Sequence, residues 1–529
     1  MKKIGFWEAY SIGIGGMIGG GIFAVLGLTI LLAKGGAPVS FIFAGIIALI
    51  TSYSYAKLSV RYPSEGGTVE FLVRAFKNNL FTGYLNTLLL ASYIIMLALY
   101  SYAFGSYASA LFLGGEMDLA KKIFIVIVIS FFTIINFFGA YVSGKAEDVM
   151  VFVKVGILLI FSVLGFFTGD FSKLSPSHWE SLLNLMTGGL IIFLAYEGFE
   201  LIANTAQDVE DPEKTLPKAF YAAVSTTIFI YVLVSIVTVA NVSYEDVQKY
   251  QDYVLAVAAK PFLGKAGFIL IGIAALLSTS SAINATLYGS ARVSYLIAKF
   301  GELPKNLTKN IWKHGTEGLL ILAVLTIVFA LTFNLENISI AGSLGFLIIF
   351  SFVNLANFKL SKYTDSNPFI PLAGFLLCLV SIITLISYNL KTNPNSLASS
   401  FVVLVLTFLF EVAYRFFTDV RLKETVDVKL KEREDLLKDA EKYIDKISSA
   451  VKNSVSDSEV YLVGKYFSHD KLKVGHVNFY IFSDKNKEKI NSAVEKIEKD
   501  LNLPTYSPFN IKVLNKSQKN QLPKENKKL

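Results

Sequence analysis

Gly15-Gly16-Met17-Ile18-Gly19-Gly20-Gly21-Ile22-Phe23 sets three consecutive glycines inside an apolar, membrane-length run that also holds Gly13 and Gly27. Each glycine weakens a helix interior by about 0.8 to 1 kcal/mol relative to alanine, so the triplet invites the helix to open. Glycines that serve only close helix packing recur four apart on one face; a consecutive triplet faces every direction. An opened helix is tolerated in lipid only where it meets protein or a water-filled cavity. A spanning helix that breaks at mid-depth is how secondary transporters build a substrate site.

The rest of the chain fits a membrane protein. Of its 529 residues 53% are hydrophobic and 17% charged, and about half of the 49 Lys and Arg lie after residue 400. A crossing needs about 20 apolar residues, and twelve stretches qualify: 8–33, 38–60, 80–113, 121–141, 148–168, 182–204, 217–241, 265–299, 317–334, 338–358, 367–388 and 397–417. The expected division is a transmembrane domain over 1–417, a cytoplasmic α/β domain over 418–517 and a disordered Lys- and Asn-rich tail over 518–529. The first apolar run is too long for a signal peptide and lacks a small-residue cleavage site. With Lys2 and Lys3 inside, inner loops carry roughly twice the basic residues of outer ones, which places both termini in the cytoplasm. The net charge of +8 then reflects topology and contact with anionic lipid, and no nucleic-acid partner is expected. Cys378 is alone, so no disulfide or cysteine metal site is expected.

An inverted repeat would pair the first crossing with the sixth. That crossing reads Phe193-Leu194-Ala195-Tyr196-Glu197-Gly198-Phe199-Glu200. Two carboxylates at mid-membrane cost on the order of 2.5 to 3.5 kcal/mol each on insertion scales, a cost that is relieved where an unwound helix faces a wet cavity. The bland reading of Glu200 is a protonated or paired acid within the bundle. A second charge, Lys154, lies inside the run Val149 to Phe167; either it snorkels to the interface or it is buried with a function.

These residues carry a family resemblance. Gly15 to Phe23 resembles the first-helix motif of the amino acid–polyamine–organocation superfamily. Tyr196-Glu-Gly-Phe-Glu200, Asn204 and Asp211-Pro-Glu-Lys-Thr-Leu-Pro217 are similar to its sixth helix and following loop. Leu277-Ser-Thr-Ser-Ser-Ala-Ile-Asn284 through Arg292, ending in Gly301-Glu-Leu-Pro304, is similar to its eighth helix, and Tyr62-Pro-Ser-Glu-Gly-Gly67 to the turn after its second. The resemblance spans about residues 5 to 415. It implies an all-α fold of twelve transmembrane helices with a LeuT-type five-plus-five inverted repeat, crossings eleven and twelve lying outside it, and an amino acid permease of the cell membrane without a cofactor. Many members carry Gly-Ser-Gly where this chain has Gly19-Gly20-Gly21. The missing hydroxyl leaves the substrate carboxylate to backbone N–H groups, which favour anions at a helix N-terminus.

The implied site takes the carboxylate on Gly19, Gly20 and Gly21 and the ammonium on the carbonyls of Ile18, Ala195 and Tyr196, with Phe193, Tyr196, Gly198 and Phe199 lining it. Aromatic packing is the alternative role for the rings. Glu197 suits a cationic side chain, which favours cationic amino acids or polyamines and their exchange, and equally suits a proton acceptor. In some proton-coupled members a helix-five lysine stands in place of a sodium ion, and Lys154 looks like that residue, with Gly15 or Gly16 carbonyls, Ser278 or Ser281 hydroxyls and Glu200 completing the coupling site. Val69 to Phe76 reads as an interfacial inner helix, and Tyr253-Val-Leu-Ala-Val-Ala258 as a short helix over the outer vestibule.

After Asp419, Leu430, Leu437, Ala440, Ile444, Ile447 and Val451 follow helical spacing. Strands are expected at Val460–Val463, Val477–Phe482 and Asn510–Leu514, with a helix over 487–501. The layout resembles a degenerate minimal nucleotidyltransferase. Gly464-Lys465 replaces its Gly-Ser turn, and His476-Val477-Asn478 stands where two metal-binding aspartates belong. Mg²⁺ requires such hard oxygen ligands, so no transferase activity is expected. A regulatory role, an unknown ligand or homodimer contacts remain open for this domain, as does a transceptor that signals nutrient state through it.

Overall fold

The computed structural model describes residues 4–64, 66–77, 79–138, 144–299, 303–304, 310–312, 315–418, 440–454, 458–463, 477–483, 509–514, 516–521 and 526–528. The chain divides into two compact units, Met1–Lys359 with Asn367–Val420, and Leu360–Ser366 with Arg421–Leu529.

The first unit is helical. α1 (Phe6–Met17) and α2 (Gly21–Ala33) together form one bent span, followed by α3 (Ala37–Arg61), α4 (Thr68–Phe76), α5 (Leu80–Leu113), α6 (Asp118–Phe137) and α7 (Gly144–Phe166). α8 (Leu182–Ile191) continues through two 3-10 segments, Phe193–Tyr196 and Phe199–Thr205. Then come α9 (Pro212–Asn241), the short α10 (Tyr244–Lys249) and α11 (Val254–Ala258), and α12 (Lys260–Lys299), kinked at Gly264. α13 (Glu317–Thr332), α14 (Leu335–Lys359), α16 (Phe369–Thr392) and α17 (Pro394–Thr418) complete it, the one-turn α15 (Ser361–Thr364) falling in the other unit. Helices occupy each of the twelve apolar stretches. Among the described residues, seven helices are long and apolar enough to cross a membrane, and up to nine spans result if each bent pair counts as one. A two-stranded turn, β1 (Asn310–Trp312) with β2 (Gly315–Thr316), precedes α13 and has no counterpart in the sequence reading.

Helix boundaries follow local chemistry. Gly5 N–H donates to Glu8 Oε2 at 3.1 Å at the head of α1, and Asn79 Oδ1 accepts from Thr82 N–H at 3.0 Å at the head of α5. These side chains satisfy donors that a helix start leaves orphaned. α5 stops at Gly114, whose φ of +76° suits glycine. Within the spans, Thr29, Ser92, Ser101 and Thr238 bond their hydroxyls back to carbonyls one turn earlier, so these four side chains sit buried without being orphaned.

α3 packs along α9 and α5 along α12, while α14 lies between α5 and α16. α5 and α14 are buried on nearly every side, whereas α16 and α17 leave most of their apolar surface uncovered, the expected dress of lipid-facing helices. α4 is more buried than a surface helix. Its polar face is covered by protein as well as its apolar one: Val69, Phe71, Leu72 and Val73 are buried, and the Glu70–Arg74 ion pair (2.9 Å) is buried too. The short α11 is likewise buried from Val254 to Ala258. At the chain start, Ile4 pairs with the segment after the sixth stretch: its N–H donates to Asp208 O and its carbonyl accepts from Glu210 N–H, both at 2.8 Å.

The second unit contains the helix α18 (Ala440–Ser454) and the strands β3 (Glu459–Val463), β4 (Val477–Phe482), β5 (Phe509–Leu514) and β6 (Asn526–Lys528), in the order β5-β4-β3-β6. β3 and β4 are antiparallel, with Val460 opposite Ile481, and β4 and β5 are parallel, with Ile481 opposite Val513. Tyr461, Tyr480, Phe482 and Leu514 form its apolar cluster. The tail expected to be disordered contributes an edge instead: Lys516–Gln521 forms a 3-10 turn and β6 pairs with β3. Lys519 and Lys528 then converge on Glu459, and with Tyr461 they pull its carboxyl down to about 2. The expected Gly464-Lys465 turn, His476 and the 487–501 helix lie outside the described residues.

Candidate functional site

α1 ends at Met17 and α2 begins at Gly21, with a 44° bend between them. The last carbonyls of a helix have no intrahelical donor. Here four of them in succession are each met by a side chain, from four different helices. Lys154 Nζ of α7 donates to Gly15 O at 3.1 Å, and Tyr100 Oη of α5 to Gly16 O at 3.1 Å. Tyr231 Oη of α9 donates to Met17 O at 2.5 Å, and Ser278 Oγ of α12 to Ile18 O at 2.6 Å. On the other side of the break the first intrahelical bond outside α2's own turns is Ala24 N–H to Gly20 O, 2.9 Å. The N–H groups of Gly21, Ile22 and Phe23 precede it and have no intrahelical acceptor.

The second interruption is longer. Beyond α8 the chain tightens into the Phe193–Tyr196 turn, extends at Glu197 (ψ 148°), reverses at Gly198 (φ +122°) and resumes as the Phe199–Thr205 3-10 segment, a 51° bend overall. Sequence reasoning anticipated the break but not the tighter winding on both sides. Ser343 of α14 spans the start of the break, donating to Ile191 O and accepting from Leu194 N–H, both at 3.0 Å.

The two interruptions touch through backbone. A Cβ on Gly16 would lie 2.7 Å from Gly198 Cα, and one on Gly21 2.6 Å from Ala195 Cα. Gly19 and Gly20 are similarly crowded, by Ala282 and Tyr100. Tyr231 bridges both breaks, since its hydroxyl also lies 2.9 Å from Ala195 O. Tyr231→Phe is therefore expected to lower initial uptake by reconstituted protein about fivefold, the rate equivalent of the ~1 kcal/mol of one buried hydrogen bond. Tyr107→Phe, whose hydroxyl donates to Phe23 O and meets the backbone of Leu255 and Ala256 but bridges no break, is expected to cost less; equal losses would refute the special place of Tyr231.

The remaining expected residues divide. Lys154 is 2% exposed, so it turns inward and does not snorkel. With Ser278, Met150, Val153, Ile157, Ala274 and Leu277 it lines a cavity of about 110 Å³. Ser278 reaches Ile18, Gly16 O serves Tyr100, and Ser281 is buried one turn further along α12. Tyr196 bonds Phe41 O at 2.8 Å and lies against Tyr231. Phe193 and Phe199 pack on Phe350, and Phe199 also meets Tyr55, so both rings join an aromatic cluster with α3 and α14. Glu200 folds back to accept Gly198 N–H at 2.7 Å. Glu197 is fully buried, and neither carboxylate oxygen has a hydrogen-bond partner among the described residues. A carboxylate in that position is costly until something pairs with it. Tyr100, Tyr231 and Ser343 were missed from sequence; their signal was a polar group within an apolar run, which many structural residues share.

The amino acid permease family profile matches residues 4–410. The chain belongs to this family. This permease is 34% identical to the inner membrane transport protein YbaT of Escherichia coli, covering 74% of this chain and 92% of that one. It is 37% identical to an uncharacterized protein of Methanocaldococcus jannaschii, over 78% and 95% of the two chains. Its fold is shared with a manganese transporter of Eremococcus coleocola at a TM-score of 0.52 and 14% identity, covering 79% of the permease and 95% of the transporter. The permease is thus a multi-pass membrane protein of a transporter family. The match ends at residue 410, and the nucleotidyltransferase likeness of the second unit gains no support from it.

Proposed function

We propose that this permease is a proton-coupled secondary active transporter of amino acids in the cell membrane, with twelve crossings and both termini cytoplasmic. The observation that carries this reading is the opposed pair of helix breaks, whose carbonyls from Gly15 to Ile18 are held by side chains of four helices. A zwitterion needs an anion-binding and a cation-binding end. The N–H groups at the head of α2, which have no intrahelical acceptor, favour the carboxylate, and the carbonyls of Ile18, Ala195 and Tyr196 favour the ammonium. Alternating access follows if the two broken helices tilt together against the other helices. Lys154 on Gly15 O supplies a titratable group at the hinge, where a cation would otherwise neutralise the carbonyls.

Glu197 favours a second reading, in which the substrate is a cationic amino acid or polyamine and transport is exchange. Its buried carboxylate, without a hydrogen-bond partner among the described residues, matches a substrate ammonium or guanidinium. A panel of amino acids and polyamines in proteoliposomes, with and without an inward pH gradient, tests both. Accumulation that requires the gradient is expected under the first. Under the second, lysine, arginine or polyamines are preferred, and Glu197→Gln removes that preference. No uptake of any amino acid or polyamine would sink both.

A further inference from the structure

The segment before α12 is fastened to the bundle by a partly buried charge cluster that the transport reading does not use. Gln251 lies against Gly27 of α2, and Tyr253 meets Tyr107, whose ring in turn meets Phe23 just past the first break. Residues 251–258 thus cap the half-helix α2. Between them, Asp252 turns toward α5 and α6. Lys121 Nζ donates to Glu116 Oε1 at 2.6 Å and to Tyr102 Oη at 2.8 Å, and stands 3.9 Å from Asp252 Oδ2. Ser106 also donates to Glu116 Oε1, at 3.2 Å, and Ser109 pins the link by accepting from Met117 N–H at 2.8 Å.

We propose that Glu116, Lys121 and Asp252 form a proton-operated latch on the 251–258 cap, closed while the two carboxyls share one proton and released when they hold none. The side chains of Lys121, Asp252 and Glu116 are only 11%, 15% and 23% exposed. Two ionised carboxylates against one ammonium leave a net negative charge nearly out of water, which is unfavourable. One proton makes the cluster neutral and fully bonded. Lys121 then serves Glu116 and Tyr102, the Tyr102 hydroxyl donates to Asp252, and the carboxyl proton bridges Asp252 and Glu116.

The groups facing Asp252 are Glu116 on the α5–α6 link, Lys121 of α6, Tyr102 and Tyr107 of α5, and Tyr253 of its own segment. Lys260 of α12 is turned to Tyr250 and Phe268 instead. Burial first, and the Glu116 carboxylate second, push the Asp252 carboxyl up to about 7 against the pull of Lys121. In an opened, hydrated cap it returns to about 3.9. The closed cap therefore binds the proton more tightly. Opening releases a proton between pH about 4 and about 7, where the opening constant rises up to roughly tenfold per pH unit, and it is pH-independent on either side of that window.

Hydrogen–deuterium exchange of a peptide covering 249–259, in the full chain in lipid nanodiscs at pH 5 and pH 7.5, tests the latch once times are scaled for intrinsic exchange. The cap is expected to open on the order of 100-fold more often at pH 7.5, while a peptide from α14 stays unchanged. Asp252→Asn should leave the cap equally protected at both pH values, and Glu116→Gln should flatten the dependence from the other side of the pair. Equal protection in the unmodified protein, or an unaltered pH response in either variant, overturns the proposal. Only the placing of this cap on the outer face rests on the transport reading. Exchange needs no substrate, so failure of the latch and failure of transport are separate results.

Discussion

Lys154→Ala is expected to reduce pH-gradient-driven accumulation to the level of equilibration, while substrate counterflow without a gradient persists. The reason lies in where the ammonium sits. It is buried, it donates to Gly15 O at the point where α1 runs out of intrahelical donors, and it shares a cavity of about 110 Å³ with Ser278. Removing it strips a carbonyl of its partner, a loss of about 1 to 3 kcal/mol, and removes the only charge that α7 brings to that break among its described side chains. Lys154→Met keeps most of the volume and should behave in the same way, which separates lost charge from lost packing. Accumulation that still follows the pH gradient in the methionine variant would refute the coupling role.

Gly198→Ala is expected to lower uptake about 100-fold or more, with Gly16→Ala close behind. At φ +122° any side chain strains the backbone, typically by 1 to 3 kcal/mol. A Cβ there would also lie 2.6 Å from Gly16 Cα, a main-chain atom that cannot rotate away. About 2.7 kcal/mol corresponds to 100-fold. The two substitutions disturb one contact, so the double variant should fall short of the product of the single effects. Gly156→Ala is the control, because nothing lies within 4 Å of a Cβ on that glycine. Initial rates per reconstituted protein, with thermal stability measured in parallel, check the set. A Gly156 variant that suffers as much as the Gly198 variant would mean that helix glycines matter here only in a general way.

The architecture was legible because a membrane forces it. Long apolar runs have few alternatives, and consecutive glycines in such a run, or carboxylates beside one, carry a cost that needs a reason. Gly19 to Gly21 and Glu197-Gly198 declared themselves in that way, and Lys154 did so as a charge without an interface. What the chain did not disclose is which partner satisfies which carbonyl. Tyr100 and Tyr231 lie in crossings where many tyrosines and serines occur, and only the packing of α5 and α9 against the break distinguishes them. The burial of α4 was hidden for the opposite reason. Its strong apolar and polar faces suggested a surface, whereas its Glu70–Arg74 pair satisfies itself and so allows the polar face to be covered too. In the second unit, β6 was invisible because an edge strand of three residues draws its stability from β3, and Lys and Asn composition alone points to disorder.

The pairing of Ile4 with Val209 also bears on biogenesis. The two residues are 205 positions apart (209 − 4), so this contact cannot form until the sixth apolar stretch has left the ribosome. At roughly 5 to 20 residues per second of synthesis, the first residues of the chain wait about 10 to 40 s for their partner. During that interval the leading span is inserted but unfastened, its glycine-rich break has none of the donors from α5, α7, α9 or α12 at first, and its carbonyls must be met by water or lipid headgroups. The span with the glycine-rich break is thus made well before the residues that secure it.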